Sequence, residues 1–282
     1  MNQSKGSATE AGHVNDTRVA IAGLGAIGRS LATSLAAGAV PGMRLVAVSA
    51  KNHDKASSFV ATLAHPVPVL TIDALESVAD IVIECAPAAL LSDIVTPFLK
   101  AGKRAVILSV GALLTNDHLK TVAAEHGGTI IVPTGALLGL DAVIAAAEGT
   151  IHQVKMVTRK PPEGLKGAPH LIQNNIDVDG LTSPLKVFEG NARDAAKGFP
   201  ANLNVVVALA LAGVGPEKTL LEIWADPSVT RNTHSIELDS DAARLTMTIE
   251  NIPSDNPKTG RIVAPSVVAL LRKMGASLRV GT

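Results

Sequence analysis

The sequence predicts an α/β fold: a doubly wound parallel sheet in the N-terminal half, followed by a second α+β unit with a mixed sheet. Three observations predict it. Short β-branched runs alternate with stretches of helical spacing between Thr17 and Val132, the pattern of successive right-handed βαβ crossovers. The first strand runs directly into Gly23-Leu24-Gly25-Ala26-Ile27-Gly28, a glycine-rich turn that opens the first helix. Beyond about residue 140 the apolar pattern changes to period two, as in strands with one buried face.

The strands of the first unit are expected at Arg18 to Ala22, Arg44 to Val48, Ile81 to Glu84, Arg104 to Ser109 and Thr129 to Val132, with a short extra one at Val67 to Thr71. Helices are expected at Ala26 to Ala36, Lys55 to Leu63, Leu90 to Ala101 and Thr115 to His126. The second unit reads as strands at Ile151 to Arg159, Thr219 to Ala225, Thr233 to Asp239 and Ala243 to Glu250, with a helix over Pro200 to Ala212. A last helix, Ala264 to Met274, is placed to pack back on the first unit. The boundaries that follow are a polar leader at 1–16, read as disordered, a first domain at 17–138, a second at 139–262, and a returning helix and tail at 263–282.

Composition narrows the function. With 282 residues, 47% of them apolar, the chain can bury two cores. Lys plus Arg and Asp plus Glu balance at 25 each, so there is no basic excess for a nucleic acid. Recognition of an anion must come from a few local cations. A single cysteine, Cys85, excludes an intramolecular disulfide and fits a reducing cytoplasm. Cys85 itself is read as a small packing residue rather than a nucleophile. Apolar runs such as Val205 to Val214 are too short to span a membrane. No His/Cys group has metal-ligand spacing, so no catalytic metal is expected.

The glycine turn carries the first chemistry. In a G-x-G-x-x-G between strand and helix, one glycine makes the tight turn, the second lets the backbone approach a pyrophosphate, and the third lets helix and strand pack closely. The helix start presents free N–H groups and a positive dipole end. The first unit is therefore expected to be a Rossmann dinucleotide-binding domain, with Gly23, Gly25, Ala26, Ile27 and Gly28 at the cofactor. An acid at the end of the second strand would hold the ribose of NAD. Here the chain reads Val48-Ser49-Ala50-Lys51-Asn52, and Lys51 suits a 2′-phosphate. NADP is expected to serve alongside NAD.

Five polar segments punctuate the second half: Thr158-Arg159-Lys160-Pro161-Pro162, Phe188 to Ala192, Phe199 to Val205, Arg231 to Ile236, and Asn251 to Gly260. With the turn at Gly135-Ala136, the segment Gly139 to Ala142 and the ending Leu278 to Thr282, they make the chain resemble the L-aspartate dehydrogenase family from Thr17 onward. Thr134 and Gly260 depart from it, standing where serine is more usual. The resemblance implies that L-aspartate loses a hydride from Cα to the nicotinamide, giving iminosuccinate, and that water then releases ammonia and oxaloacetate. It also implies that His234 is the catalytic acid/base and that Ala136 and Asn204 contact the cofactor.

The residue chemistry agrees. Proton transfer near neutral pH suits histidine, with an unperturbed pKa of roughly 6.5, and His234 alone sits beside orienting polar groups, Asn232 and Thr233. Activity is then expected to fall below about pH 7 as a free imidazole protonates. His170, in a Pro/Gly-rich loop, is the runner-up. A dicarboxylate needs cations, and the candidates are Lys160, favoured because two prolines stiffen its loop, Arg159 and Lys258. Asn202 is either a helix cap or a substrate ligand. An open antiparallel sheet in the second unit points to a homodimer. Two alternatives stay open: a related reductase of the dihydrodipicolinate-reductase or homoserine-dehydrogenase type, or a non-catalytic NAD(P)H-binding redox sensor.

Overall fold

The computed structural model describes residues 16–200, 203–254 and 260–282. The first unit runs β1 (Thr17–Ala22), α1 (Ala26–Ala36), β2 (Met43–Ser49), α2 (His53–Val60), α3 (Leu75–Val78), β3 (Ile81–Glu84), α4 (Leu91–Lys100), β4 (Arg104–Ile107), α5 (His118–His126) and β5 (Thr129–Ile131). Its five strands are ordered β2-β1-β3-β4-β5, and every pairing is parallel. The inner strands β1, β3 and β4 are buried on both faces, so β3 reads as an unbroken buried run rather than an alternating one. The strand order reverses direction between β1 and β3, and a crevice at such a switch point is where open α/β sheets bind ligands.

The second unit runs α6 (Leu140–Ala147), β6 (Ile151–Lys160), α7 (Pro169–Gln173), β7 (Leu185–Asn191), α8 (Ala192–Gly198), α9 (Asn204–Ala212), β8 (Thr219–Ala225), β9 (Asn232–Ser240) and β10 (Arg244–Asn251). Its sheet is ordered β10-β9-β6-β8-β7. Only β6 and β8 run parallel there; the other neighbours are antiparallel. The last helix, α10 (Val263–Gly275), packs Val263, Val267 and Leu271 with Leu31 and Leu35 of α1.

Three expectations need correction. Residues 67–71 do not form a strand; they make a single bridge, Val69 to Val48, because Pro68 has no N–H to give a ladder. The helix expected over 115–126 is split: Val110–Thr115 is a 3₁₀ turn and α5 begins at His118. Asn116 separates the two, its Nδ2 donating back to the Ala112 carbonyl at 2.8 Å. The helix expected from Pro200 begins at Asn204. The sequence pattern also hid β7, an edge strand whose register shifts between Lys186 and Phe188.

The apolar core joins the two sheets. One cluster runs from Ala20, Val82 and Ala105 in the first sheet, through Val206 and Leu209 of α9, to Met156, Ile223 and Ile236 in the second. The crest of the first sheet is thereby held facing the second.

Candidate active site

Between the two units lies a cleft of about 430 Å³. From the first unit it is lined by Ile27 of the glycine turn, by Ala86 and Pro87 after β3, by Leu108 and Val110 after β4, and by Pro133 to Ala136 after β5. From the second it takes Lys160, Asn204, Asn232, His234, Asn251 and Gly260.

The turn at its floor has the shape a dinucleotide needs. Gly23 has φ +103, and a Cβ there would stand 2.5 Å from the Cys85 carbonyl oxygen. At Gly28 a Cβ would collide with the Gly23 carbonyl, so helix and turn meet at a distance only glycine allows. Gly25, by contrast, has open space where its Cβ would be. Its exposed backbone and that of Ala26 leave room at the start of α1 for a pyrophosphate. Cys85 lies against this turn, and burial pushes its thiol pKa well up, which suits packing and not nucleophilic attack.

Glu84 braces the cleft wall from beneath. Fully buried at the end of β3, its carboxylate accepts from Ala86 N at 2.9 Å, Leu108 N at 3.2 Å, Ser109 N at 2.8 Å and Ser109 Oγ at 2.9 Å. Burial raises its pKa while these donors hold it down. The loops after β3 and β4 are thus tied to one carboxylate.

On the opposite wall, β6 and β9 pair antiparallel with Thr158 directly across from His234. His234 is 3% exposed, and its Nδ1 lies 3.0 Å from Thr158 Oγ1. With the proton on Nδ1 donated to Thr158, Nε2 is left as a lone-pair acceptor. Lys160, two residues along the same strand face, is also buried and shares the cleft. Burial, and then the Lys160 charge, lower the His234 pKa from 6.5 to about 3. The free imidazole is therefore held neutral below pH 7, and the expected loss of activity below about pH 7 does not follow from protonation of the free protein's His234.

Comparison with known proteins decides what this arrangement belongs to. Residues 141–274 match the family model for the aspartate dehydrogenase C-terminal domain, and residues 23–133 that for the homoserine dehydrogenase NAD-binding domain. The chain is 62% identical to L-aspartate dehydrogenase 3 of Bordetella bronchiseptica, covering 94% of this chain and 97% of that one. It is 60% identical to L-aspartate dehydrogenase of Bradyrhizobium diazoefficiens, over 95% of each chain. The chain belongs to the L-aspartate dehydrogenase family. The fold agrees: the crystal structure of aspartate dehydrogenase from Thermotoga maritima superposes with a TM-score of 0.73 at 23% identity, covering 94% of this chain and 99% of that one. The first unit is a domain that takes a nicotinamide cofactor.

Within this family frame the expected site residues divide. His234, Lys160, Ala136, Asn204 and Ile27 meet in the cleft, and Gly23, Gly25, Ala26 and Gly28 form its glycine turn. Asn204 Oδ1 accepts from Gly111 N at 3.0 Å, linking α9 to the loop after β4. Lys51 is exposed at the end of β2, one residue before the Asn52 cap of α2, clear of the cleft lining. Arg159 is placed elsewhere. It bonds Asp226 Oδ2 at 3.0 Å and stacks 4.8 Å from the Trp224 ring. Neighbouring residues of a strand face opposite sides, so Arg159 and Lys160 cannot share one pocket. His170 sits with the Phe188 and Phe199 rings and does not line the cleft. Asn202 and Lys258 lie outside the described residues.

Sequence reasoning missed Thr158, Glu84 and Asn251. The signal for Thr158 was present: it stands two residues before Lys160, hence on the same strand face. Glu84 carried a weaker one, a carboxylate ending an otherwise apolar strand. Asn251 was marked only as the start of a polar segment, because its role depends on a loop contact, Nδ2 to the Ala136 carbonyl at 3.0 Å.

Proposed function

We propose that the cleft carries out the oxidative deamination of L-aspartate with NAD or NADP as oxidant, giving iminosuccinate, then oxaloacetate and ammonia, and the reverse reductive amination. The observation that carries this reading is a neutral buried histidine and a buried lysine in one cleft with the cofactor turn. The bound nicotinamide supplies the hydride acceptor for the substrate Cα–H. The chain's own residues do the rest. Lys160 holds a substrate carboxylate. Substrate carboxylates beside Lys160 offset the cation that depresses His234, so its proton affinity rises when substrate binds. His234 Nε2 then takes a proton from the substrate ammonium, freeing the nitrogen lone pair that drives hydride departure. Once that proton has passed to solvent, the same atom takes one from the water that adds to the imine and gives it to the nitrogen of the resulting carbinolamine, which leaves as ammonia while the hydroxyl loses its proton and the C=O forms.

Several features fill out the reading. Lys51 supports use of NADP beside NAD. A lone cysteine supports a cytoplasmic setting; among the described residues no helix is long and apolar enough to cross a membrane. The outer face of the second sheet carries Val157, Leu220 and Trp224, each at least partly exposed, and supports a homodimer formed through that face. Light scattering at micromolar protein should give a dimer mass; a monomer mass would remove this part.

The deciding experiment follows nicotinamide reduction with L-aspartate, L-malate and L-homoserine in separate reactions. L-Aspartate should be oxidised at least a hundredfold more efficiently than the others, roughly 2.7 kcal/mol of discrimination. Oxidation of malate or homoserine without aspartate would assign a different dehydrogenase. Tight cofactor binding with no turnover of any of them would assign a sensor.

A further inference from the structure

The cleft contains a buried hydrogen-bond acceptor that the fold leaves unused. Asn251 is 3% exposed. Its Nδ2 is engaged by the Ala136 carbonyl, while its Oδ1 has no hydrogen-bond partner. Such an atom carries the full desolvation penalty unless a ligand supplies a donor. The register places Asn251 directly across from Asn232 and two residues beyond Ile249, the partner of His234. Period-two geometry therefore puts Asn251 and His234 on one face, and both line the cleft.

Two further facts say what kind of donor fits. The described residues lining the cleft include one lysine and no Asp or Glu. Lys160 answers a carboxylate, while the acceptors that the described lining offers an amine are neutral. Beside Asn251, residue 260 is glycine, and a Cβ there would stand 2.9 Å from Oδ1, so only the bare Gly260 backbone covers the atom on that side and must give way when a donor reaches it.

Resting on the aspartate reading above, we propose that Asn251 Oδ1 accepts an N–H of the substrate's α-amino group and so distinguishes an amino acid from the deamino dicarboxylate of the same length. The chemistry favours an amide over a carboxylate here. A carboxylate would stabilise the ammonium form, yet hydride can leave Cα only when the nitrogen lone pair is free. An amide oxygen binds the amine in either protonation state without fixing the charged one, and it still meets an N–H once the imine has formed.

The test uses the full chain with saturating NAD(P)H and compares binding of L-aspartate with that of succinate, its deamino analogue, by cofactor fluorescence. Asn251→Leu should weaken L-aspartate roughly tenfold or more and succinate by less than about twofold, with NAD(P)H affinity changed no more than in Asn251→Asp. Asn251→Asp loses the Ala136 contact equally but keeps an oxygen acceptor, so it should recover much of the aspartate binding. Gly260→Ala, which leaves Asn251 in place but crowds its oxygen, should reproduce the selective loss and serves if Asn251→Leu does not fold. Equal losses for both ligands would overturn the proposal, as would a loss confined to NAD(P)H. Wild-type protein that binds NAD(P)H and not L-aspartate would instead sink the aspartate reading itself.

Discussion

His234 Nδ1 and Thr158 Oγ1 face each other at 3.0 Å across the β6–β9 ladder, so the imidazole is oriented by a hydroxyl and not by a carboxylate. A neutral partner fixes the tautomer without raising the proton affinity of the ring. His234→Ala should lower kcat by roughly 10²- to 10⁴-fold with little change in NAD(P)H affinity. Thr158→Val should lower kcat by about fivefold while Thr158→Ser retains most activity, since one neutral hydrogen bond contributes about 1 kcal/mol. Steady-state kinetics with a fluorescence titration of cofactor check both. Near-normal turnover in His234→Ala removes the histidine from the mechanism.

The His234 pKa of about 3 owes most to burial and the remainder to Lys160. Lys160→Met should therefore raise it, but not to 6.5, because burial persists. NMR titration of the ring protons in the free protein reads this directly. Stability is linked to the same shift. The folded pKa lies below the unfolded 6.5, so between these values the unfolded chain binds more protons. The histidine's contribution is complete above about pH 6.5 and is lost as pH falls toward about 3. Thermal melts between about pH 7 and pH 4 should show a steeper acid loss in wild type than in His234→Gln. Parallel slopes would contradict the buried neutral ring.

Lys160 and Arg159 are adjacent in sequence and opposite in consequence. Lys160→Met should raise KM for L-aspartate roughly a hundredfold, in the range for removing a charged partner of a bound carboxylate. Arg159→Met should leave KM within about threefold and instead lower thermal stability, because it leaves the buried Asp226 carboxylate without its cation and with only the Ser228 N and Oγ donors. A KM effect from Arg159 equal to that of Lys160 would mean the strand faces are misassigned.

Lys51→Glu should reduce kcat/KM for NADP by at least tenfold, about 1.4 kcal/mol, while leaving that for NAD unchanged or improved. The wild type should use the two within about a hundredfold of each other. A stronger wild-type preference for NAD would show that Lys51 does not meet the 2′-phosphate.

The first sheet was legible because its strands and helices carry unmistakable periods and because a glycine turn announces its function locally. The second unit was legible only where strands alternate cleanly, as in β6, β8 and β9. β7 was hidden by its bulge and by Glu189, Gly190 and Asn191, which read as a loop. The α6 segment, Leu140–Ala147, was given no element although Leu140, Val143 and Ala146 bury one face. Within the site, His234 and Lys160 stood out by residue type. Thr158 and Asn251 did not, because a hydroxyl and an amide gain meaning only from the atom across a strand or in a distant loop. Arg159 was over-read, since charge alone does not say which side of a sheet a side chain occupies.

The return of α10 onto α1 has a consequence for how this molecule can be taken apart. The first sheet is complete at β5, yet the apolar side of α1 is finished only by α10, which begins about 130 residues after β5 ends. A fragment cut after β5 would leave Leu31 and Leu35 without their cover from Val267 and Leu271. The nucleotide-binding half is therefore not a transferable cassette. It would precipitate on its own and stay in solution when residues 263–282 are spliced back through a short linker, and any chimera exchanging substrate halves must swap an internal segment, keeping both ends of the chain from one parent.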